Sequence, residues 1–351
     1  MTVSMSQYGS SCMSPERLQV ALGALVVAAA ALVARPAAAL TFTFQDIINT
    51  ADPTFNQELG INNSGMIAGY FGSGAAGHPN QGYTTIPPYT SFTPENFPGS
   101  VQTQVTGLNN MGTTVGFWSN SNNGVGLDSN FGFTDVGGTF TNVNNPNTAI
   151  TPPVFNQLLG VNDSNIAVGF YTDAGGVTHG YTYNIASKTF SADINDPNAV
   201  GNTTAAAINN AGEIAGFYTD AGGAFHGFLE NAGMFTTLDA AGAMDTSLLG
   251  LNNDGEAVGF DIDAAGMMHG VVCSVTALSC QQFDDPHGIG TTTFNGLNDF
   301  GQVVGFYVNG ADNTIGLLAT PVAATPEPAS LALLATGLLG IGIVRRRRKA
   351  E

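Results

Sequence analysis

The chain has 351 residues, of which 26 are acidic and 8 are basic, and its formal net charge is −18. Charged residues make up 10% of the chain, against about 25% in an average protein, whereas glycine occurs 46 times. Nucleic acids and anionic membrane surfaces bind clustered Lys and Arg, so this composition excludes them as partners. A hydrophobic content of 43% is enough to build a core, and the low charge does not indicate disorder.

The N-terminal segment, residues 1–39, predicts a secretory signal peptide. Arg17 precedes an apolar run over residues 18–33, and small residues end at Ala39. Cleavage after Ala39 would start the mature chain at Leu40, and an uncleaved N-terminal membrane anchor is the alternative. Residues 40–325 contain 23 acids and one base, Lys188, so the body carries a net charge of −22.

Six copies of one sequence unit follow, with starts 43 to 53 residues apart. The copies are GINNSGMIAGYF (60–71), GLNNMGTTVGFW (107–118), GVNDSNIAVGFY (160–171), AINNAGEIAGFY (207–218), GLNNDGEAVGFD (250–261) and GLNDFGQVVGFY (296–307). Asn-Asn-x-Gly and Asp-Ala-Gly-Gly turns divide each unit into four strands of about five residues, which leaves no room for a helix. This period predicts an all-β fold, a β-propeller with six four-stranded blades.

The ends of the repeat region predict how the ring closes. The last unit stops after its third strand at residues 314–320, whereas residues 41–48 resemble a fourth strand without a blade. Pairing of these two segments would close the ring and remove an exposed sheet edge. A solenoid, or a flat or open β arrangement, is the alternative.

Two cysteines remain once the signal peptide is removed. Six residues separate Cys273 from Cys280, and this spacing predicts a structural disulfide in an oxidising compartment. A catalytic thiol is the alternative, and it would need a nearby base and no partner cysteine.

The C-terminus combines a short motif, an apolar segment and a basic cluster. Pro326, Glu327 and Pro328 precede the uncharged residues 331–344. These fourteen residues span about 21 Å as a transmembrane helix, short of the roughly 30 Å hydrocarbon core of a bilayer. The basic cluster, which the positive-inside rule would keep cytoplasmic, consists of Arg345, Arg346, Arg347, Arg348 and Lys349.

This C-terminal pattern resembles the PEP-CTERM sorting signal of Gram-negative bacteria. The resemblance implies that an exosortase recognises Pro326 to Pro328 and that the inner membrane holds the chain transiently. It also implies removal of the tail and export to the cell surface or the exopolysaccharide matrix. An ordinary single-span anchor is the alternative. The predicted domains are a signal peptide (1–39), a propeller (40–320) and a sorting signal (321–351).

The repeat consensus resembles the HAF-repeat family of probable bacterial extracellular proteins. The resemblance covers residues 55–320 and implies an extracellular location without an activity. Three units have a histidine before a glycine, where the other units have Gln81, Phe131 and Ile315. Because Phe and Ile replace it, the histidine is interpreted as a strand-packing residue. These histidines are His179, His226 and His269.

Two sets of repeated polar residues are candidate sites. An asparagine in every turn predicts a polar ladder near one mouth of the channel, which a ligand could use collectively. Turn aspartates are weak calcium candidates beside flexible glycines, although EF-hand spacing is absent and a plain turn role is the alternative. The asparagines are Asn62, Asn109, Asn162, Asn209, Asn252 and Asn298, and the aspartates are Asp173, Asp220, Asp261 and Asp263.

Residues that interrupt the repeat are where an active site would be expected. Glu95, Trp118, Lys188 and Asp245 are such residues, but no nucleophile-elbow, zinc-helix or phosphate-loop motif accompanies them. The sequence therefore predicts an exported, noncatalytic structural or binding propeller without catalytic residues or a cofactor. The alternatives are a carbohydrate-active enzyme with paired carboxylates at the channel mouth, and a calcium-dependent adhesin.

Overall fold

The structure, a computed structural model, describes residues 40–124 and 126–322. This part of the chain contains 24 strands and no helix. The strands form six four-stranded antiparallel sheets, which are the blades of a β-propeller. The predicted all-β propeller is therefore confirmed, and neither a solenoid nor an open sheet is formed. The compact unit spans Phe42–Val322.

The strands of the first half follow the repeats in chain order. The N-terminal strand is β1 (Phe42–Ile47). Blade one contains β2 (Asn56–Ile61), β3 (Ile67–Phe71), β4 (Gln81–Thr85) and β5 (Phe92–Pro94). Blade two contains β6 (Gln102–Leu108), β7 (Thr114–Ser119), β8 (Phe131–Val136) and β9 (Thr139–Val143). Blade three contains β10 (Asn156–Val161), β11 (Ile166–Thr172), β12 (Thr178–Asn184) and β13 (Thr189–Phe190).

The second half continues this order and returns to the N-terminus. Blade four contains β14 (Thr203–Ile208), β15 (Ile214–Thr219), β16 (Phe225–Asn231) and β17 (Met234–Thr237). Blade five contains β18 (Asp245–Leu251), β19 (Glu256–Ile262), β20 (Met268–Ser274) and β21 (Ser279–Phe283). Blade six contains β22 (Thr292–Leu297), β23 (Val303–Val308) and β24 (Thr314–Pro321), with β1 as its outermost strand.

The closing strand behaves as the sequence predicts. β1 pairs antiparallel with β24 in a continuous register from Phe42 opposite Pro321 to Ile47 opposite Gly316. Ile47 is fully buried, so the closing strand contributes to the core as well as to the hydrogen-bond ladder. Because Phe42 faces Pro321, the propeller begins and ends at the same end of blade six.

Turn chemistry fixes where the innermost strand of each blade ends. In blade one, the Gly65 N–H donates to the Asn62 carbonyl at 3.0 Å, and Gly65 has a φ of 79°. Blade three has Asn165 at this place with a φ of 56°, a left-handed conformation that asparagine tolerates better than most residues. The turn is therefore conserved in shape among the blades although its last residue changes.

The innermost strands approach one another closely around the channel axis. Each has a β-bulge, which is followed by glycine in five blades and by Ala207 in blade four. A Cβ on Gly107 would lie 2.8 Å from the Leu159 carbonyl oxygen, so glycine permits this approach. The channel keeps only a cavity of about 70 Å³, which the bulged residues line: Leu59, Thr106, Leu159, Ala206, Leu249 and Asn295.

The core lies between neighbouring blades. Val115 of blade two packs with Leu158 and Tyr181 of blade three, and all three side chains are fully buried. In blade five, a disulfide joins Cys273 to Cys280, which are opposite each other on β20 and β21. The predicted pairing of the two cysteines is thus present in the structure.

Candidate functional site

The six repeat asparagines form a closed ring of hydrogen bonds at the end of the innermost strands. Each Nδ2 donates to the backbone carbonyl of the equivalent asparagine in the next blade, at 3.0 to 3.4 Å. In blade one, Asn62 Oδ1 accepts the N–H groups of Ser64 and Met66 at 3.0 Å, and the other five asparagines repeat this pattern. These side chains are therefore committed to turns and to blade contacts.

A second ring lies beside the first, formed by the next residue of each turn. Each backbone N–H donates to the side-chain Oδ1 of the next blade at 2.8 to 3.0 Å. Four members are asparagines and two are aspartates, and the aspartates are three blades apart. The members are Asn63, Asn110, Asp163, Asn210, Asn253 and Asp299.

The two carboxylates of this second ring are stabilised in their charged form. Asp163 Oδ2 accepts the Nδ2 groups of Asn110 at 2.9 Å and Asn210 at 2.8 Å, and Asp299 is held similarly by two asparagines. Burial alone would raise the pKa of each aspartate, but the amide donors outweigh it and the pKa lies below its usual value. Neither carboxyl group suits a general acid, which must carry a proton.

The histidines of blades three, four and five share one arrangement. His226 Nδ1 lies 2.7 Å from Asp239 Oδ2 of the segment after β17, and its Nε2 lies 3.5 Å from Asp220 Oδ2 of the turn after β15. The hydrogen bond to Asp239 raises the pKa of His226. We call this the histidine clamp, because one imidazole connects the turn to the outer edge of its blade. The other clamp histidines are His269, which has two carboxylate partners, and His179, whose Nδ1 lies 2.9 Å from Asn195 Oδ1 in place of a close carboxylate.

Three of the four calcium candidates serve their own turns. Asp220 Oδ1 accepts the N–H groups of Gly222 at 2.7 Å and Ala224 at 2.9 Å, and Asp173 and Asp263 do the same in their blades. The turn position predicted for Asp261 is wrong: it lies on β19, opposite His269, where other blades have an aromatic residue. Across residues 40–124 and 126–322, no group of three or more His, Cys, Asp or Glu side chains is placed to hold a metal ion.

A larger cleft opens at the opposite end of the innermost strands, across blades one, two and three. Its volume is about 530 Å³, compared with about 70 Å³ at the asparagine rings. Partly buried aromatic side chains line it, namely Phe55, Phe117, Trp118 and Phe155. Amide side chains share the lining: Asn80, Gln102, Gln104, Asn130 and Gln157.

Two long loops form the walls of the cleft, and each is held by one buried polar side chain. Asn80 Nδ2 donates to the Gly72 carbonyl in the loop after β3. Asp128 accepts hydrogen bonds from Ser121 Oγ at 2.6 Å, from Gln102 Nε2 at 3.1 Å and from both nitrogens of Asn123. Burial would raise the pKa of Asp128, but these donors outweigh it and lower the pKa. The loop therefore depends on a charged, fully bonded carboxylate.

Amide bridges order the base of the cleft. Gln104 Nε2 donates to Asn80 Oδ1 at 2.8 Å, and Gln157 Nε2 donates to Asn130 Oδ1 at 2.7 Å. In the first bridge, the bond from Asn80 Nδ2 to the Gly72 carbonyl fixes which end of each amide is the donor. In blades four to six, the residues equivalent to these glutamines are Thr204, Ser247 and Thr293. The cleft is thus a local departure from the repeat.

Among these lining residues, Trp118 alone stands out in the sequence as an interruption of the repeat. Phe97 stacks on Trp118 with ring centroids 4.5 Å apart, and the indole Nε1 donates to Asn142 Oδ1 at 3.0 Å. The structure does not bring Trp118 together with Lys188 and Asp245, which belong to blades three and five. Two signals in the sequence mark the cleft: the long loops of blades one and two, and glutamine where later repeats have Thr or Ser.

Glu58, Glu95 and Asp261 have raised pKa values, and all three lie outside the lining of the cleft. Glu58 of β2 is fully buried, burial raises its pKa to about 8, and its Oε1 accepts the Tyr83 hydroxyl at 2.5 Å. Burial also raises the pKa of Glu95 to about 7, with a further contribution from the Asp135 carboxyl. The Thr114 hydroxyl donates to Glu95 at 2.7 Å. Glu58 occupies a core position, and Glu95 connects the end of blade one to blade two.

Several predicted features lie outside the described residues. These are the signal peptide over residues 1–39, the sorting residues Pro326 to Pro328, the apolar segment 331–344 and the basic cluster Arg345 to Lys349. Within residues 40–124 and 126–322, the structure has no helix with the length and apolar character needed to cross a membrane.

Comparison with solved structures supports the fold. A protein of unknown function from Dyadobacter fermentans aligns with a TM-score of 0.52 and 10% identity, over 81% of this chain and 100% of that one. TolB from Acinetobacter baumannii aligns with a TM-score of 0.48 and 12% identity. The alignment covers 68% of this chain and 56% of TolB. A point mutant of the Aleuria aurantia lectin, in complex with α-methyl-L-fucoside, aligns with a TM-score of 0.48 and 10% identity. This alignment covers 81% of this chain and 99% of the lectin. At 10% identity, the likeness to the Dyadobacter fermentans protein shows the fold alone.

Comparison with sequence families identifies a sorting motif at the C-terminus. No curated protein sequence matches the chain. Residues 324–349 match the PEP-CTERM protein-sorting motif, as the sequence predicts. This motif indicates export and surface sorting through an exosortase.

Proposed function

We propose that this chain is a sorted protein of the cell surface or exopolysaccharide matrix, whose propeller acts as a noncatalytic binding module. The observation that carries the proposal is the cleft of about 530 Å³ across blades one to three. A purely structural ring of repeated blades needs no such departure from the repeat. A binding protein does need one, because ligand pockets are concave and combine aromatic walls with a few ordered polar groups.

The chemistry of the cleft favours binding over catalysis. Glycoside cleavage uses two carboxyl groups about 5 to 9.5 Å apart, one of which must be protonated. Among the described lining residues, Asp128 is the one carboxylate, and both its oxygens accept hydrogen bonds from Ser121, Asn123 or Gln102. At the channel mouth, Asp163 and Asp299 are paired with asparagine amides. This chemistry disfavours a carbohydrate-active enzyme at either place.

The path of the chain supports display of the cleft. The innermost strands begin at the cleft and end at the asparagine rings. β24 begins at Thr314, beside Phe55 of the cleft, and ends at Pro321, so the chain leaves the propeller at the end that bears the rings. Both chain ends of the propeller are therefore remote from the cleft.

The intact mass of the protein, recovered from a Gram-negative host that has an exosortase, tests the sorting proposal. We expect a chain that starts at Leu40 and lacks residues 331–351. The variant Glu327→Ala should keep the tail, and a host without exosortase should give the same uncut mass. Recovery of wild-type chain that still contains residues 331–351 from the exosortase host would contradict the sorting proposal. Release of new reducing ends from polysaccharides would contradict the noncatalytic part.

A further inference from the structure

We infer that the cleft of blades one to three binds a neutral, extended sugar chain. This inference rests on the proposed function and gives its ligand a chemical class. A sugar ring has apolar C–H faces that pack on aromatic rings, and hydroxyl groups that each need a donor or an acceptor. A site for such a ligand should combine aromatic surfaces with groups that can both donate and accept.

The aromatic residues of the cleft come from three successive blades. Phe55 and Phe155 occupy equivalent positions, each one residue before the innermost strand of its blade. Phe117 of β7 lies in the blade between them, and all three side chains are partly buried. A ligand that contacts all three rings must extend across blades, as a chain of sugar units does.

The amides supply the hydroxyl-binding groups. Asn130 Oδ1 accepts a hydrogen bond from Gln157 Nε2 at 2.7 Å, and both residues line the cleft. Within residues 40–124 and 126–322, the Asn130 Nδ2 and the Gln157 Oε1 make no hydrogen bond of their own. The pair therefore offers a donor and an acceptor side by side, the pattern that two neighbouring hydroxyl groups require. Because each amide is already held by the other, little ordering is needed on binding.

Charge selects against anionic polymers. Lys188 is the single base in residues 40–325, and it does not line the cleft. The body carries a net charge of −22, so uronate, sulfate and phosphate groups would be repelled at low salt. Asp128, which could attract a cationic polymer, is 5% exposed and its carboxylate is occupied by the wall loop. A neutral sugar chain fits this lining.

A glycan array probed with the purified, exported protein tests the inference. The array should contain neutral oligosaccharides of hexoses, deoxyhexoses and N-acetylhexosamines, each with uronate, sulfate and glucosamine counterparts. We expect binding to one or more neutral chains, with affinity that increases from one sugar unit to three. Stronger binding to charged counterparts, or no binding to any neutral chain, would overturn the inference.

Matched variants locate the binding. Phe117→Ala and Gln157→Ala should each weaken binding by roughly tenfold or more, which corresponds to loss of one good contact. The controls are Phe217→Ala and Thr204→Ala in blade four, at the positions equivalent to Phe117 and Gln157. They should change binding by less than about twofold. Equal losses in both sets would place the ligand elsewhere and refute the cleft as the site.

Two further measurements separate the possible failures. Phe117→Leu keeps the apolar volume and removes the ring, so weak binding by a variant with an unchanged Tm would support the stacking role. If Phe117→Leu binds as the wild type does, the proposed stacking of a sugar ring on Phe117 is wrong. Normal export without binding to any neutral chain refutes this inference and leaves the sorting proposal intact. Retention in the cytoplasm, or cleavage of the probe, refutes the proposed function itself.

Discussion

Blades one and two differ from blades three to five in the loop between the second and third strands. Blades three to five close this loop with a short aspartate turn and a histidine clamp such as Asp220, His226 and Asp239. Blades one and two have longer loops, organised by Asn80 and Asp128, and these loops surround the cleft. All five sheets have the same four-stranded antiparallel topology. The comparison shows that blade packing restrains the strands and leaves the loops free to diverge.

The first prediction concerns the core of blade one. Glu58 lies where blade three has Leu158, and burial raises its pKa to about 8, above the ordinary value of 4.5. The folded state therefore favours the protonated carboxyl. Stability is full below pH 4.5 and is lost as pH rises toward 8. Glu58→Gln should raise the free energy of unfolding by about 3 kcal/mol at pH 7 and by almost nothing at pH 4.

Urea unfolding at these two pH values measures the effect. Glu58→Leu, which copies blade three, serves as the companion variant and should also remove the pH dependence. A stability gain of equal size at both pH values would show that proton uptake by Glu58 is not its cause.

The second prediction tests the wall of the cleft. Asp128→Ala removes the acceptor of several buried hydrogen bonds, so the free energy of unfolding should fall by about 2 kcal/mol. The equivalent change in blade four, Asp220→Ala, affects an exposed turn and should cost less. Chemical denaturation of both variants measures the difference, and limited proteolysis should cut residues 121–128 in the first variant alone. Equal losses would mean that the two loops are held equally well.

The third prediction compares the innermost strands of blades two and four. Gly107→Ala would place a Cβ 2.8 Å from the Leu159 carbonyl oxygen, and Gly107 should therefore be intolerant of this change. We expect a loss of about 1 to 2 kcal/mol in the free energy of unfolding. Ala207→Gly, the reverse change in blade four, should cost about 0.5 to 1 kcal/mol through chain entropy. Thermal unfolding followed by circular dichroism measures both, and an unchanged Tm for Gly107→Ala would contradict the close approach.

The fourth prediction is the smallest and concerns the histidine clamp. Asp239 raises the pKa of His226, so the clamp stabilises the fold fully below pH 6.5 and loses this contribution as pH rises through the raised value. His226→Gln, which copies Gln81 of blade one, should reduce the difference in Tm between pH 5.5 and pH 8.5. Gln81→His is the control, because Gln81 has no carboxylate partner among the described residues. An unaltered pH dependence in His226→Gln would argue against the clamp.

Repetition made the fold predictable from sequence. Five Asn-x-x-Gly turns and one Asn-x-x-Asn turn set the strand boundaries, and the unpaired segment 41–48 predicts the closing strand β1. The structure places asparagines such as Asn62 in turns and in contacts between blades. Asp261 was misplaced because the sequence DIDAAG contains two aspartates, and only pairing with His269 shows which one continues the strand.

The sequence by itself determined the number of blades, the way in which the ring closes, the acidity of the body and the sorting motif at its C-terminus. These properties follow from local turn chemistry, from periodicity and from composition. The tertiary structure alone decided that Phe55, Phe117 and Phe155 share one cleft, although 100 residues separate the first from the last. The physical reason is that stacking places equivalent positions of neighbouring blades side by side, so a site can be assembled from residues a whole repeat apart.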